Sequence, residues 1–182
     1  MPFTGTRRAL LLVALAALAT TSCGYSLAGR GAFLPESVKT IGIPLFVNRT
    51  PFFQIEQVLT QKVRSEFIGR GKYKVLPQAT DVDAVVQGEI TSMSILPTSF
   101  DQQQQASQYV ITLVARMELR DLKANRVIWQ NPSLVFRDEY QLTSGNSSIS
   151  DPTAFLGQEG NAVERLGNDF ARTVVSAILE AF

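Results

Sequence analysis

Hydrophobic side chains recur every three or four residues in two segments of the chain, which is the spacing of an amphipathic helix. The first helix is predicted to begin with Thr50 as its N-cap and Pro51 in the first helical position, and to end at Gly69 and Gly71. The second is predicted to begin at residues 150–152 and to run nearly to the end of the chain. Their apolar stripes are Phe52, Ile55, Leu59, Val63 and Phe67 in the first helix, and Val163, Leu166, Phe170, Val174 and Ile178 in the second.

Five other segments have the composition or the two-residue alternation of β-strands. They are residues 38–46, 73–76, 84–96, 108–121 and 127–140. In the first of these, Ile41, Ile43 and Leu45 are expected to lie on one side of the strand. Pro77 and Pro97 are expected to end the second and third strands, because proline has no backbone N–H to donate.

The clearest alternation lies in residues 108–121, and the strand that follows is expected to bend at Asn131 and Pro132. The last three strands favour an antiparallel meander, whereas a right-handed strand–helix–strand crossover should make the first two strands parallel. Two amphipathic helices need a sheet face against which to bury their stripes. The pattern therefore predicts an α+β fold, a two-layer sandwich with both helices on one face of a mostly antiparallel sheet of four main strands.

The outward side of the strand at 108–121 is unusually apolar, because Val110 and Val114 lie on it with Thr112. Exposed valine is common in strands. The same pattern is typical of an open sheet face that a partner protein or acyl chains cover. Phe100, in an otherwise polar loop, is a candidate anchor for that surface. Val110, Val114 and Phe100 are therefore the candidate partner-binding residues.

The N-terminal segment has the parts of a secretory signal: Arg7 and Arg8, an apolar run, small residues, and then Cys23. A membrane-spanning helix would need about 20 apolar residues, more than the run at 9–19 supplies. An ordinary signal cut near Ala19 would leave Cys23 as a free thiol. We interpret the segment as a lipoprotein signal at 1–22, followed by a tether at 23–37 lipidated on Cys23 and a single domain at 38–182.

Composition restricts the chemistry that the chain can perform. It contains no histidine, and Cys23 is its only cysteine. The commonest general base is therefore missing, and an acylated Cys23 leaves no thiol for a nucleophile or a zinc site. Removal of Arg7 and Arg8 with the signal takes the net charge from +1 to −1, which argues against binding to nucleic acid. We expect a protein that is not an enzyme and has no metal or other cofactor.

Basic residues are frequent around the last predicted hairpin. Lys123, Arg126 and Arg137 belong to it, and Arg116 and Arg120 lie on the adjoining strand. These side chains are either a solvated hairpin or a site for a phosphorylated, anionic ligand, which arginine and lysine suit. Lys123, Arg126 and Arg137 are the candidate ligand-binding residues.

The order of several short motifs resembles the LptE family of lipopolysaccharide-assembly lipoproteins. Cys23, Gly24, Tyr25 and Leu27 follow the signal, and residues 34–41 read Leu-Pro-Glu-Ser-Val-Lys-Thr-Ile. Further on come Asn48-Arg49-Thr50 before a helix, Gln108-Tyr109 opening a long strand, and Val135-Phe136-Arg137 in the last strand. None of these motifs is specific by itself, but their order is.

The resemblance implies a non-enzymatic protein with two helices on one side of a four-stranded sheet. It implies anchorage in the outer membrane through the Cys23 lipid, on the periplasmic face, as Gly24 after the cysteine also favours. Members of the family plug the β-barrel of LptD, help it to assemble, and bind lipopolysaccharide on its way to the cell surface. The alternative is a periplasm-facing accessory lipoprotein of another envelope machine, such as a transport auxiliary or a cell-wall synthase activator.

Overall fold

A computed structural model of the chain describes residues 34–70, 72–100, 102, 106–141 and 160–182. The signal, Cys23 and the predicted start of the second helix at 150–152 lie outside the described residues. The elements are β1 (Thr40–Gly42), β2 (Val47–Asn48), α1 (Ile55–Gly69), β3 (Lys74–Leu76), β4 (Ala84–Phe100), β5 (Ala106–Asp121), β6 (Arg126–Gln141) and α2 (Gly160–Leu179). Neither of these helices is long and apolar enough to cross a membrane.

The sheet is six-stranded and mixed, with the order β3-β1-β4-β5-β6 and with β2 paired to β4. β1 runs parallel to both β3 and β4, and β4, β5 and β6 form an antiparallel meander. The α+β class, the parallel first pair and the meander are confirmed. The prediction of four main strands in a mostly antiparallel sheet is corrected, because residues 38–46 supply only the short β1 and the chain then pairs again as β2.

The alternation predicted for residues 38–46 fails at Leu45. Ile41 and Ile43 are fully buried, but Leu45 is 55% exposed and Phe46 is buried in its place. The Phe46 N–H donates to the Thr60 hydroxyl (3.0 Å), and the Phe46 ring packs edge-on against Phe170. Between β1 and β2 the alternation of buried and exposed side chains shifts by one residue. The Phe46 ring, rather than the Leu45 side chain, therefore enters the core.

The core lies between the inner face of the sheet and the two helices. Every residue of both predicted helical stripes is buried. So are the inward residues of β5, which are Tyr109, Ile111, Leu113, Ala115, Met117 and Leu119. Phe170 is the centre of an aromatic group, with the Phe136 ring centroid 5.0 Å and the Phe46 centroid 6.5 Å away. The periodicities of the two helices and of β5 therefore identify their buried faces correctly.

The start of α1 differs from the prediction, because Thr50 is not its N-cap. The Asn48 side-chain oxygen accepts hydrogen bonds from the Thr50 N–H (2.9 Å) and hydroxyl (2.8 Å), while its amide donates to the Phe52 carbonyl (2.7 Å). These bonds hold residues 48–52 in a turn. The helix begins only at Ile55, after Gln54 with φ 69° and without a side-chain cap.

The predicted end of α1 is confirmed at Gly69, although its cause is different. The capping residue is Arg70, in the right-handed region with φ −73°, and its N–H donates to the Glu66 carbonyl. A left-handed glycine therefore does not end this helix at Gly69, and Gly71 lies outside the described residues.

Pro97 does not end β4, which continues to Phe100. β2 pairs with β4 only as far as Ile90, and no described strand lies on that side beyond it. A proline is tolerated at such an edge because its missing N–H removes no ladder bond. The bend expected in the last strand is confirmed as a register shift between Asn131 and Leu134.

Candidate functional site

The outer face of the sheet, on the side away from the helices, has an apolar region at the Phe100 end. Cross-strand pairing places Leu96 beside Val110, and Val114 beside Val135. Leu96 is 61% exposed and Val135 59% exposed, with Phe100 equally exposed at the end of β4. We call Leu96, Phe100, Val114 and Val135 the apolar patch. The sequence had suggested that Phe100 lies in a loop, but the structure places it at the end of strand β4.

Val110 has the predicted direction but not the predicted exposure. It lies on the outer face between Leu96 and Glu139, yet it is only 4% exposed. Val114 is partly exposed between Ser92 and Val135. Of the three partner-binding candidates, Phe100 and Val114 are thus exposed to solvent at least in part, whereas Val110 is buried.

The other end of the same face is covered by the chain itself. A side-chain carbon added at Gly42 would meet the Gln78 carbonyl oxygen at 2.2 Å and a Val82 methyl at 3.0 Å, so the loop before β4 packs over β1. Val85, which pairs with Gly42 and points outward, is fully buried as a result. Among the described residues, the Phe100 end of the outer face therefore exposes several large apolar side chains, while exposed Leu45 and Val47 border the middle of that face.

A charged strip crosses the middle of the outer face. The Glu89 carboxylate accepts from Arg49 (2.8 Å) and Arg116 (3.5 Å), and Arg120 pairs with Glu118 (3.0 Å). The hydrogen bond from Arg49 is the main reason why the pKa of Glu89 lies below its ordinary value. A shallow cavity of about 290 Å³ lies beside these pairs. Arg116 and Arg120 are therefore already partnered by carboxylates of the sheet.

The three ligand-binding candidates do not come together, so the predicted basic cluster is wrong. Lys123 lies in the β5–β6 turn, where its ammonium group contacts Asp83 at 2.5 Å. Arg126 begins β6 and is exposed, whereas Arg137 lies eleven residues further along the same strand. The rise per residue of a β-strand separates Arg126 from Arg137 by roughly 35 Å. Arg137 instead lies on the outer face next to Val135 of the apolar patch.

Asp83 joins three separate parts of the chain at the end of the sheet that carries the β5–β6 turn. We call this end the hairpin end. Its carboxylate accepts from the backbone N–H of Lys39 (2.9 Å) and of Thr40 (2.8 Å), from the Thr40 hydroxyl (2.8 Å), and from Lys123. These donors, Lys123 foremost, hold the pKa of Asp83 far below its ordinary range. The sequence indicated nothing of this role, because the donors lie about forty residues away on either side.

The end of the predicted tether belongs to the folded domain. Leu34 is buried, and its N–H donates to the Tyr73 hydroxyl (3.1 Å). The Val38 N–H donates to the Pro35 carbonyl (2.8 Å), which closes a turn before β1. Residues 34–38 therefore pack with the domain that contains β1. Within the described part of the chain, no group of acidic, histidine or cysteine side chains is placed to hold a metal ion.

Solved bacterial structures that resemble this chain include two with a TM-score of 0.50. The PelC dodecamer from Paraburkholderia phytofirmans matches with a TM-score of 0.50 and 14% identity, over 85% of this chain and 96% of that one. The hypothetical protein CT253 from Chlamydia trachomatis matches with a TM-score of 0.50 and 11% identity, over 78% and 96%. The rare lipoprotein B from Shewanella oneidensis matches with a TM-score of 0.43 and 9% identity, over 76% and 96%. At identities of 11–14%, the likeness of the two structures with a TM-score of 0.50 concerns the fold alone.

No curated protein matches the sequence at a significant level. The model of the LptE family, described as lipopolysaccharide-assembly, matches residues 38–178. That span covers the whole domain from the turn before β1 to the last turn of α2, and it accounts for well over half of the chain. The chain therefore belongs to the LptE family of non-enzymatic lipoproteins, which has its role in lipopolysaccharide assembly and transport.

Proposed function

We propose that this protein plugs the lumen of the LptD β-barrel, helps that barrel to assemble, and takes part in delivering lipopolysaccharide to the cell surface. The proposal places it at the periplasmic face of the outer membrane, held there by a lipid on Cys23. The observation that carries the proposal is the apolar patch. Membership of the LptE family supports the interpretation of this patch as a contact surface for a partner protein.

The apolar patch is a surface that favours being covered. Leu96, Phe100 and Val135 each keep more than half of their surface in water. Burial of apolar surface is worth about 25 cal/mol per Å², and large exposed side chains gathered in one place are typical of an interaction site. A protein wall around the domain would bury all of them at once.

At the end that carries the apolar patch, the sheet is narrow enough to enter the lumen of a barrel. Only β4, β5 and β6 continue there, and in the described part of the chain neither outer edge is paired with a further strand. Pro97 and the register shifts beside it weaken the β4 edge as a site for strand addition. A ribbon of this kind fits contact with a surrounding wall through its side chains.

The lipid would hold the domain close to its partner. The chain from Cys23 to Leu34, where the domain begins, can extend to at most about 40 Å. A lipid anchor on so short a tether raises the effective concentration of the domain beside a membrane protein. The specificity then has to come from the surfaces of the domain.

For lipopolysaccharide, Arg137 is the best placed of the basic candidates. It is exposed, it pairs across the strands with Thr112, and its neighbour Val135 belongs to the apolar patch. A guanidinium beside an apolar surface suits an amphiphile with phosphate groups. Lys123 is engaged by Asp83, and Arg126 lies near the far end of β6, so these two cannot share a phosphate with Arg137.

Co-purification from detergent-solubilised membranes tests the plug. The wild-type chain should recover a large β-barrel, and a Leu96→Asp, Val135→Asp double variant should lose most of it, because two carboxylates would be buried against the wall. Ile68→Asp is the matched control, since Ile68 is equally exposed but lies on α1. Recovery of another envelope complex without any barrel would contradict the proposal, as would equal losses in the control.

A further inference from the structure

A second cavity, of about 560 Å³, lies along the outer side of α1. Its lining includes Gln57, Gln61 and Ser65 from the helix, Glu164 from α2, and the cations Lys62 and Arg64. Leu45 separates it from the cavity on the outer face of the sheet. We call this cavity the α1 groove. It is distant from the apolar patch, and no part of the proposed barrel contact depends on it.

In the part of the chain that the structure describes, no carboxylate pairs with the positive charge of Arg64. Its Nε and Nη2 both donate to the Ile43 carbonyl, at 2.8 and 2.6 Å. None of the ion pairs among the described residues includes it. Arg64 is half-buried, and this burial lowers the pKa of its guanidinium. A partly desolvated charge is normally paired.

Lys62 does not leave a second free charge in the α1 groove, because Glu164 is its ion-pair partner. The net charge of the lining is therefore that of Arg64. The Thr60 hydroxyl also belongs to the lining, but it is already bonded to the Phe46 N–H and the Glu56 carbonyl. The remaining polar groups are the amides of Gln57 and Gln61 and the Ser65 hydroxyl, which both donate and accept hydrogen bonds. Amides and a hydroxyl around one guanidinium suit a ligand with one anionic group and several hydroxyls.

We propose that the α1 groove binds a carboxylate or phosphate group carried on a hydroxylated, sugar-like body. Arginine has five N–H donors, and the Ile43 carbonyl takes two of them. The anion binds to donors on the remaining edge of the Arg64 guanidinium. Gln57, Gln61 and Ser65 bind the hydroxyls. Arg64 thus has two functions, since it holds the backbone between β1 and β2 and binds the anion.

Titrations of the purified, detergent-solubilised full chain test the groove, with binding measured from backbone amide shifts. The probes are glucose 6-phosphate, glucuronate, glucose and inorganic phosphate. At least one of the two acidic sugars should bind ten times more tightly than glucose and than inorganic phosphate, with shifts at residues 57–65. Comparing the two acidic sugars tells whether phosphate or carboxylate is preferred. Equal binding of glucose, equal binding of inorganic phosphate, or shifts confined to other residues would each overturn the proposal.

Gln61→Glu is the sharpest variant, because it offers Arg64 a carboxylate three residues away on the same helix without disturbing the Ile43 carbonyl. The acidic sugars should then bind at least tenfold more weakly. Gln87→Glu makes the same change on the exposed outer face of the sheet and should leave the affinity unchanged. An unchanged affinity in Gln61→Glu, or an equal loss in Gln87→Glu, would refute the role of Arg64.

Discussion

The two ends of the sheet differ in what surrounds them. At the hairpin end, β1 and β3 widen the sheet, the loop before β4 covers its outer face, and Asp83 joins three segments of the chain. At the patch end only three strands remain, and large apolar side chains face water on the outer side. The first end is built from contacts within the chain. The patch end instead exposes side chains that a partner molecule could contact.

This difference predicts that substitutions at the two ends will separate folding from binding. A change at the hairpin end or in the core should lower the free energy of unfolding. A change in the apolar patch should leave that free energy nearly constant and should weaken binding instead. Substitutions of similar chemistry at both ends can therefore contradict or strengthen the comparison.

The largest effect is expected for Phe170→Ala. Phe170 is fully buried and contacts the rings of Phe46 and Phe136. Loss of the ring leaves a cavity, which should lower the free energy of unfolding by about 3–5 kcal/mol. Phe100→Ala removes the same side chain from the patch end and should change it by less than about 0.5 kcal/mol. Urea denaturation measures both, and a large loss in Phe100→Ala would show that the patch belongs to the core.

A smaller effect is expected for Gly88→Ala, where β4 passes close to a side chain. An added methyl group would lie 2.8 Å from the Phe46 ring and 2.9 Å from the Met117 sulfur. The ring must move, so the free energy of unfolding should fall by about 2–3 kcal/mol. Gly69→Ala is the matched control: nothing lies within 4 Å of the added methyl, and it should stabilise the end of α1 by up to about 1 kcal/mol. Thermal denaturation of both variants should give shifts of opposite sign.

The smallest of the three effects is expected for Asp83→Asn, and it should depend on pH. The folded state depresses the pKa of Asp83, so the stabilisation is fully present above the unfolded value, near 3.9, and is lost as the pH falls below it. At neutral pH the variant should lose about 1–2 kcal/mol, because charge-assisted hydrogen bonds become neutral ones. The difference from wild type should shrink in acid, as denaturation at pH 7 and pH 3 would show. A constant difference would mean that the charge of Asp83 has no part in stability.

Local periodicity explains what the sequence predicted well. The stripe of α1 and the alternation of residues 109–119 each depend on a single element and a single buried face, so the spacing of apolar residues is sufficient. The same holds for the outward direction of Val110 and Val114. These features could be predicted because no residue outside the element decides them.

Contacts from distant parts of the chain decided the rest. Thr60 and Phe170 hold Phe46, rather than Leu45, in the core. Nearer in sequence, the turn that Asn48 makes with Thr50 and Phe52 moves the helix start to Ile55, while the Thr50 oxygen still accepts from the Phe52 N–H (3.3 Å). The basic hairpin looked like one cluster because Lys123, Arg126 and Arg137 are close in number. An extended strand carries Arg137 far from the turn, and Asp83 engages Lys123.

The central position of Phe170 has a consequence for the order of folding. The ring fills the space between Phe46, from near the start of the domain, and Phe136, from the last strand. β1 likewise pairs with β4 only after the whole of α1 and β3 has been made. Contacts between residues so far apart in sequence form slowly. A chain that has not yet gained α2 lacks the ring that joins Phe46 to Phe136, so the aromatic centre of the core can pack only after the last helix has been made.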